Sequence, residues 1–332
     1  EIKVRSFVGL VCILCIATVS QQFVEPVFAQ SSSATSHRPL KQSPVVTGNG
    51  LGFAVLSPAG QITKFYAHPY RFEHPNPDES KDGSETTNFL KGLSWSGAPV
   101  STDAADINYL NESQILSVKT SGGEQQYFMP FGLKRNAFIA VWRTSANKES
   151  YNPNIALKPD WLHKPLKDEL KEVEGRTVRL LQFKDVKELL ALVPLSKDPA
   201  VKLTAGGPFA GSEWVLIGLE KAEQLDSAIK DLNQWQGSLN SAELMQREIS
   251  QLDSWRVKPQ VTFKSENEKH LWRQNETFLR MSQIQESNNH LRHNHGLILA
   301  SLPDGMWFMA WVRDMAYAVV SLIRMGHTAE AK

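Results

Sequence analysis

The chain has 332 residues, 41% of them hydrophobic and 21% charged, with nine tryptophans and a formal net charge of +1. That length makes two domains the natural expectation. The near-neutral balance excludes a strongly basic nucleic-acid face, and no apolar run beyond the amino terminus is long enough to span a bilayer.

Residues 1–29 read as an export signal. Lys3 and Arg5 form a basic start, Phe7 to Val19 is apolar, and Val27-Phe28-Ala29 supplies a cleavage position. The mature chain is therefore expected to begin at Gln30, secreted or periplasmic, with no membrane attachment after cleavage. Cys12 and Cys15 both lie in this segment, so the mature protein has no disulfide and no thiolate chemistry. Residues 30–43 are polar and read as a disordered leader.

From 44 to 221 the texture is that of short strands. Leu51 to Leu56 and Ile62 to Tyr66 flank the turn Ser57-Pro58-Ala59-Gly60, which predicts a hairpin. Further strands are predicted at Ile107–Leu110, Gln114–Lys119, Gln126–Met129, Ala137–Arg143, Thr177–Phe183, Leu189–Val193 and Glu213–Leu219. Short strands parted by Gly, Asn, Pro and Ser clusters indicate an antiparallel sandwich. Lys158 to Arg176 is charged and without clear period, and reads as a solvated loop or short helix. The scattered tryptophans Trp95, Trp142, Trp161, Trp214 and Trp235 read as core rather than a sugar platform. Asp103 with Asp106, and Glu73 with Asp78, read as loop charges rather than catalytic pairs.

Near Ala222 the pattern turns helical. Ala222–Leu232 and Ser241–Trp255 are amphipathic and form a helical linker over 222–258. Ser265-Glu266-Asn267-Glu268 is a capping box opening a helix that runs to about Glu286. Its apolar face is assigned to Leu271, Asn275, Phe278 and Ser282, widened by Trp272, Leu279 and Met281. The polar loop holding His290, His293 and His295 offers metal-type ligands, but no Cys or acid is interleaved, so no metal is assigned. A second helix, Asp314 to Met325, is apolar almost all round, which predicts burial among other helices. Gly326 caps it, and Thr328 to Lys332 reads as a new helix at its Thr N-cap. With Glu1 in place of an initiator Met, these ends predict a fragment of a longer chain.

The densest chemistry lies before that second helix. The apolar run Gly296–Ser301 leads through Pro303-Asp304-Gly305 to Trp307 and Trp311, and Arg313-Asp314 follows at the helix mouth. A guanidinium donates in a fixed fork, a carboxylate accepts from hydroxyls, and indoles cover apolar ring faces. Together they suit one polar sugar ring. The bland alternative is an Asp stabilised by the helix dipole beside an incidental Arg.

Gly296-Leu297-Ile298-Leu299-Ala300-Ser301 followed by Trp311-Val312-Arg313-Asp314 resembles glycoside hydrolase family 15, the glucoamylase-like exo-α-glucosidases. The resemblance implies an antiparallel β-supersandwich over 44–221, the helical linker, and over 259–332 the first helices of a six-hairpin (α/α)6 barrel, here truncated. It implies that Arg313 and Asp314 bind hydroxyls of the non-reducing glucose, with Trp311 and Trp307 lining the same subsite. It also implies inverting hydrolysis by an acid and a base about 6.5–9.5 Å apart. Both family glutamates fall beyond Lys332, so no catalytic residue is assigned, no cofactor is expected, and the chain alone is expected to be inactive. The implied partner is an α-glucan or α-gluco-oligosaccharide. A trehalase, a dextran- or isomaltose-cleaving enzyme and a disaccharide phosphorylase share this architecture. A non-catalytic carbohydrate-binding protein is the alternative outside the enzymes, and a plain structural sandwich would leave the Trp-x-Arg-Asp element unexplained.

Overall fold

The computed structural model describes residues 44–66, 88–96, 106–120, 123–144, 154–159, 165–183, 188–196, 203, 209–289, 293–303 and 310–332. The signal and leader assignments over 1–43, Glu73, Asp78, Asp103, Trp161, His290 and Trp307 lie outside these residues. The strands are β1 (Val45–Gly48), β2 (Phe53–Leu56), β3 (Ile62–Phe65), β4 (Leu90–Ser96), β5 (Asp106–Tyr109), β6 (Leu116–Thr120) and β7 (Gly123–Phe128). They continue with β8 (Ala137–Thr144), β9 (Asn154–Pro159), β10 (Pro165–Val173), β11 (Arg176–Phe183), β12 (Leu189–Pro194), β13 (Phe209–Ala210) and β14 (Glu213–Leu219). Four α-helices follow among the described residues: α1 (Leu225–Gln236), α2 (Ser241–Trp255), α3 (Glu266–Ser282) and α4 (Val312–Met325).

The strands form two antiparallel sheets. One has six strands in the order β1-β2-β3-β4-β9-β13, the other eight in the order β10-β11-β12-β14-β8-β7-β6-β5. Alternation decides which side chains lie between them. Phe138, Ala140 and Trp142 of β8, Leu190 and Leu192 of β12, and Trp214 and Leu216 of β14 point inward. There they meet Phe65, Phe89, Leu93 and Trp95 from the six-stranded side.

The alternate residues of the same strands are also buried. Ala137, Ile139, Val141, Leu189, Ala191, Val193, Val215 and Ile217 pack against Leu225, Ile229, Leu232, Leu244 and Ile249 of α1 and α2. That is why Leu189–Val193 and Trp214–Leu219 are near-continuous apolar runs: both faces of this sheet are covered. The linker helices therefore form a layer on the sandwich. The capping box of α2 is closed in both directions by Asn240 and Glu243, at 3.0 Å and 2.8 Å.

In the charged stretch from Lys158 to Arg176 the described residues are strand and a tight turn, not the solvated loop or short helix that composition predicts. It contains the end of β9 and all of β10, which pairs with β11 across a two-residue turn of Glu174 (φ 49°) and Gly175 (φ 75°). Two consecutive positive φ values match the twist that a tight hairpin requires. Strand β10 is the sheet's edge, where charged side chains meet solvent and discourage pairing with another chain. Its Asp168 is paired with the buried Arg179 of β11. The tryptophan assignment agrees with the structure: Trp95, Trp142, Trp214 and Trp235 are all buried. Asp106 is exposed at the start of β5.

Candidate functional site

Three elements position the Arg-Asp dyad: α3, the irregular segment after it, and α4. The Ser265 hydroxyl caps α3 by accepting from Glu268 N at 3.2 Å. Glu268 closes its half of the box one residue early, accepting from Lys264 N at 2.6 Å. The helix ends at Ser282 rather than near Glu286, because the backbone there turns to pair elsewhere. Gln285 N donates to Gly50 O at 2.9 Å, tying this point to the six-stranded sheet.

The Gly296–Ser301 run is not a sheet strand. It makes one isolated bridge, Gln283 with Ile298, framed by bonds from Ile284 N to Leu297 O (2.8 Å) and Leu299 N to Ser282 O (3.1 Å). Ile298 and Leu299 are buried; Leu299 joins Val46, Phe53, Val55 and Met281 on the outer face of the six-stranded sheet. Apolar burial, more than backbone pairing, returns the chain to the end of α3.

Trp311 is the N-cap of α4 in extended conformation, and Asp314 falls in the first turn. A carboxylate there faces the partial positive charge of the free amides. Arg313 Nη2 lies 3.6 Å from Asp314 Oδ2, with the two side chains 81% and 37% exposed. Trp311 is 43% exposed at the same helix end. Three of the four sequence-assigned residues thus lie at the exposed amino end of α4: a fork of donors, a carboxylate acceptor and an indole. His295, from the polar loop, bonds instead to Glu286 O (3.0 Å) and Asn288 Oδ1 (3.0 Å). Among the described residues no group of three or more His, Cys, Asp or Glu could hold a metal.

Two sequence assignments around this site change. Helix α4 is not buried on all sides: only Leu322 and Met325 are, and Val312 is 81% exposed. An apolar helix is buried only where something covers it, and the described helix packed against it is α3. On α3 the buried residues are Glu276, Thr277, Met281 and Ser282, while Leu271 is 62% exposed. The helix turns one carboxylate, Glu276, inward beside Thr277, Met281 and Ser282, because that carboxylate is partnered.

Glu276 and its partners are what sequence reading missed. Glu276, wholly buried, accepts from Arg273 Nη1 at 2.7 Å and is bonded to His327 Nε2 at 2.6 Å. Arg256 Nε stands 3.8 Å away. Burial alone would raise the Glu276 carboxyl, but the bonds from His327 and Arg273 outweigh it and hold it below its ordinary value. The His327 ring stacks on Trp255 at 3.9 Å and 13°. Arg273 at three residues before Glu276 is a visible helical pair, but His327 lies 51 residues away and leaves no sequence trace.

Beside this cluster, Arg280 sits over the rings of Phe131 and Trp255. Burial pushes its guanidinium down to about 10, against the pull of Glu248 and Glu330. A second buried carboxylate, Glu248 of α2, accepts from Phe131 N (2.7 Å), Gly132 N (3.2 Å) and Trp235 Nε1 (3.1 Å). It pins α2 to the turn before β8.

No protein-family model matches the chain, and no characterised protein matches it by sequence. Among solved structures it is similar to a bacterial glucoamylase complexed with acarbose, at 15% identity and a TM-score of 0.50. The likeness covers 93% of this chain and 51% of that one, so the chain spans about half that structure's length. It shows a glucoamylase-like fold, with two antiparallel sheets followed by a partial helical region.

Proposed function

We propose that this chain is the amino-terminal part of an exported, glucoamylase-like glycoside hydrolase. In this reading residues 1–29 are removed on export, 44–221 form the supersandwich with 222–258 as its helical linker, and 259–332 begin the (α/α)6 barrel. The complete enzyme releases glucose from non-reducing ends of α-glucans or α-gluco-oligosaccharides by inverting hydrolysis. The observation that carries the reading is the exposed Trp311–Arg313–Asp314 cluster at a helix amino end. It stands in a chain whose fold resembles that of a bacterial glucoamylase crystallised with acarbose.

Arg313 and Asp314 would hold sugar hydroxyls and Trp311 the ring face, while the acid and base come from the remainder of the protein. No cofactor takes part in such a hydrolysis. The test is hydrolysis of maltotetraose by the full gene product, with the anomer of the released glucose followed by NMR. Inversion of an α-linkage yields the β-anomer first. Asp314→Ala is expected to lower kcat/KM about 100-fold or more with the Tm retained, as for a lost charge-assisted contact to the reacting ring. Near-normal kcat/KM in that variant would remove the dyad from the site. Sugar binding without turnover by the wild-type product would turn the reading to a carbohydrate-binding protein.

A further inference from the structure

Helix α4 carries the dyad at one end and is held at the other. Both of its buried residues, Leu322 and Met325, lie in the last turn. Past them the chain closes a Schellman motif, with Gly326 N donating to Ile323 O (3.1 Å) and His327 N to Leu322 O (2.9 Å). Gly326 has φ 95°, and a Cβ there would stand 2.7 Å from Val257 Cγ1.

His327 then enters the helix interface with its side chain 1% exposed, stacked on Trp255 of α2 and bonded to Glu276 of α3. One residue thus touches both α2 and α3, the two helices next before α4 in the chain. Trp255 Nε1 donates to Glu330 Oε1, and Gln283 Nε2 donates to Glu330 O, each at 2.7 Å, which closes the turn behind it.

We infer that His327 is a positioning residue for the Arg313–Asp314 dyad, setting the tilt of α4 from its far end. The inference rests on the sugar-binding reading of that dyad. The physical reason is leverage. The helix has 14 residues, about 20 Å of rigid rod, so a tilt of about 5° at His327 moves the amino end by about 2 Å. Displacements of that size at a binding group cost about 100-fold in rate in well-ordered sites. Imidazole fits this position because it is flat enough to stack on the indole and still presents an N–H to the Glu276 carboxylate. An aliphatic residue would leave that buried carboxylate short of one donor. A glutamine keeps a donor but not the stacking plane.

Two measurements test this. Hydrogen exchange on the present chain is expected to show faster exchange of amides 315–320 in His327→Ala, with β8, β12 and β14 unchanged. In the full gene product the same variant is expected to raise KM for maltotetraose about tenfold while changing kcat less, and His327→Gln to recover most of the KM. Wild-type exchange and wild-type KM in His327→Ala would overturn the inference. If that variant fails to fold, Glu276→Gln, which weakens the same contact, carries the test with the same two readouts. Absence of any α-glucan hydrolysis by the wild-type product would instead overturn the functional reading. Hydrolysis with an unmoved KM in the variants would overturn the positioning alone.

Discussion

The sandwich and the helical region that follows it are held together by different physics. Between the two sheets the contacts are mainly apolar and aromatic, as where Phe65 of β3 meets Phe138 of β8 and Trp95 of β4 meets Trp142 of β8, each pair of rings 5.9 Å apart. Between α2, α3 and α4 the buried centre is a carboxylate, Glu276, with an imidazole and two guanidiniums. Apolar contacts are non-directional, and their strength follows buried area. The charged cluster is directional, fixing which residue meets which, and it depends on protonation. The first arrangement suits a rigid support, and the second suits an interface whose geometry must be set.

The comparison breaks most readily in the sandwich core. Trp214 is fully buried, with its Nε1 donating to Gly211 O at 2.9 Å. Trp214→Ala is expected to cost about 3–5 kcal/mol, as large-to-small core changes do, read from urea denaturation. A loss below about 1 kcal/mol would mean that the two sheets do not depend on that layer.

In the helical region the expected loss is smaller and depends on pH. Glu276→Gln keeps one acceptor but loses the charge facing Arg273 and His327, for about 1–3 kcal/mol at neutral pH. Because the folded Glu276 carboxyl is held below its ordinary value, its contribution is present above the ordinary carboxylate range. It is lost as pH falls through the folded value. Glu248 shifts the other way: burial outweighs the bonds from Trp235, Phe131 and Gly132 and pushes its carboxyl up. Its contribution is therefore greatest at low pH and fades as pH rises through the folded value. Stability against pH should accordingly lose part of its acid limb in Glu276→Gln. An unchanged acid limb would show that the Glu276 cluster does not hold the helices.

The smallest expected effect separates backbone strain from crowding. Gly175 and Gly326 both have positive φ, but a Cβ at Gly175 meets nothing within 4 Å, whereas at Gly326 it meets Val257. Alanine at either costs about 1–2 kcal/mol for the left-handed conformation. Thermal denaturation should show the larger loss for Gly326→Ala, by the crowding against Val257. Equal losses would mean that Val257 moves aside freely and that the α4 cap is not tightly seated.

How much could be read in advance follows the same division. The β2–β3 hairpin, β5 to β8, β11, β12, β14 and both linker helices were legible, because period and turn residues are local properties. Strand β10 was not, since an edge strand carries solvent-facing charges that mimic a loop. Its one local mark was Glu174-Gly175, a residue-glycine pair at a hairpin turn. The face of α3 was read correctly at its end, where Met281 and Ser282 are buried, and misread at its start, where Leu271 is exposed and Glu276 is buried instead. That Trp311, Arg313 and Asp314 stand at the start of a helix was legible because helix period and flanking residues are local.

By itself, then, the sequence determined the alternating and helical periods, the cap at Ser265, and a dyad at a helix mouth. Each depends on residues within a few positions of one another. Only the tertiary structure decided that α1 and α2 are the outer layer of the eight-stranded sheet and that α3 buries Glu276. It alone joined His327 to Glu276 and Trp255. The reason is physical: burying a charge is unfavourable until its partner is in place, and that partner comes from a part of the chain that only folding brings near.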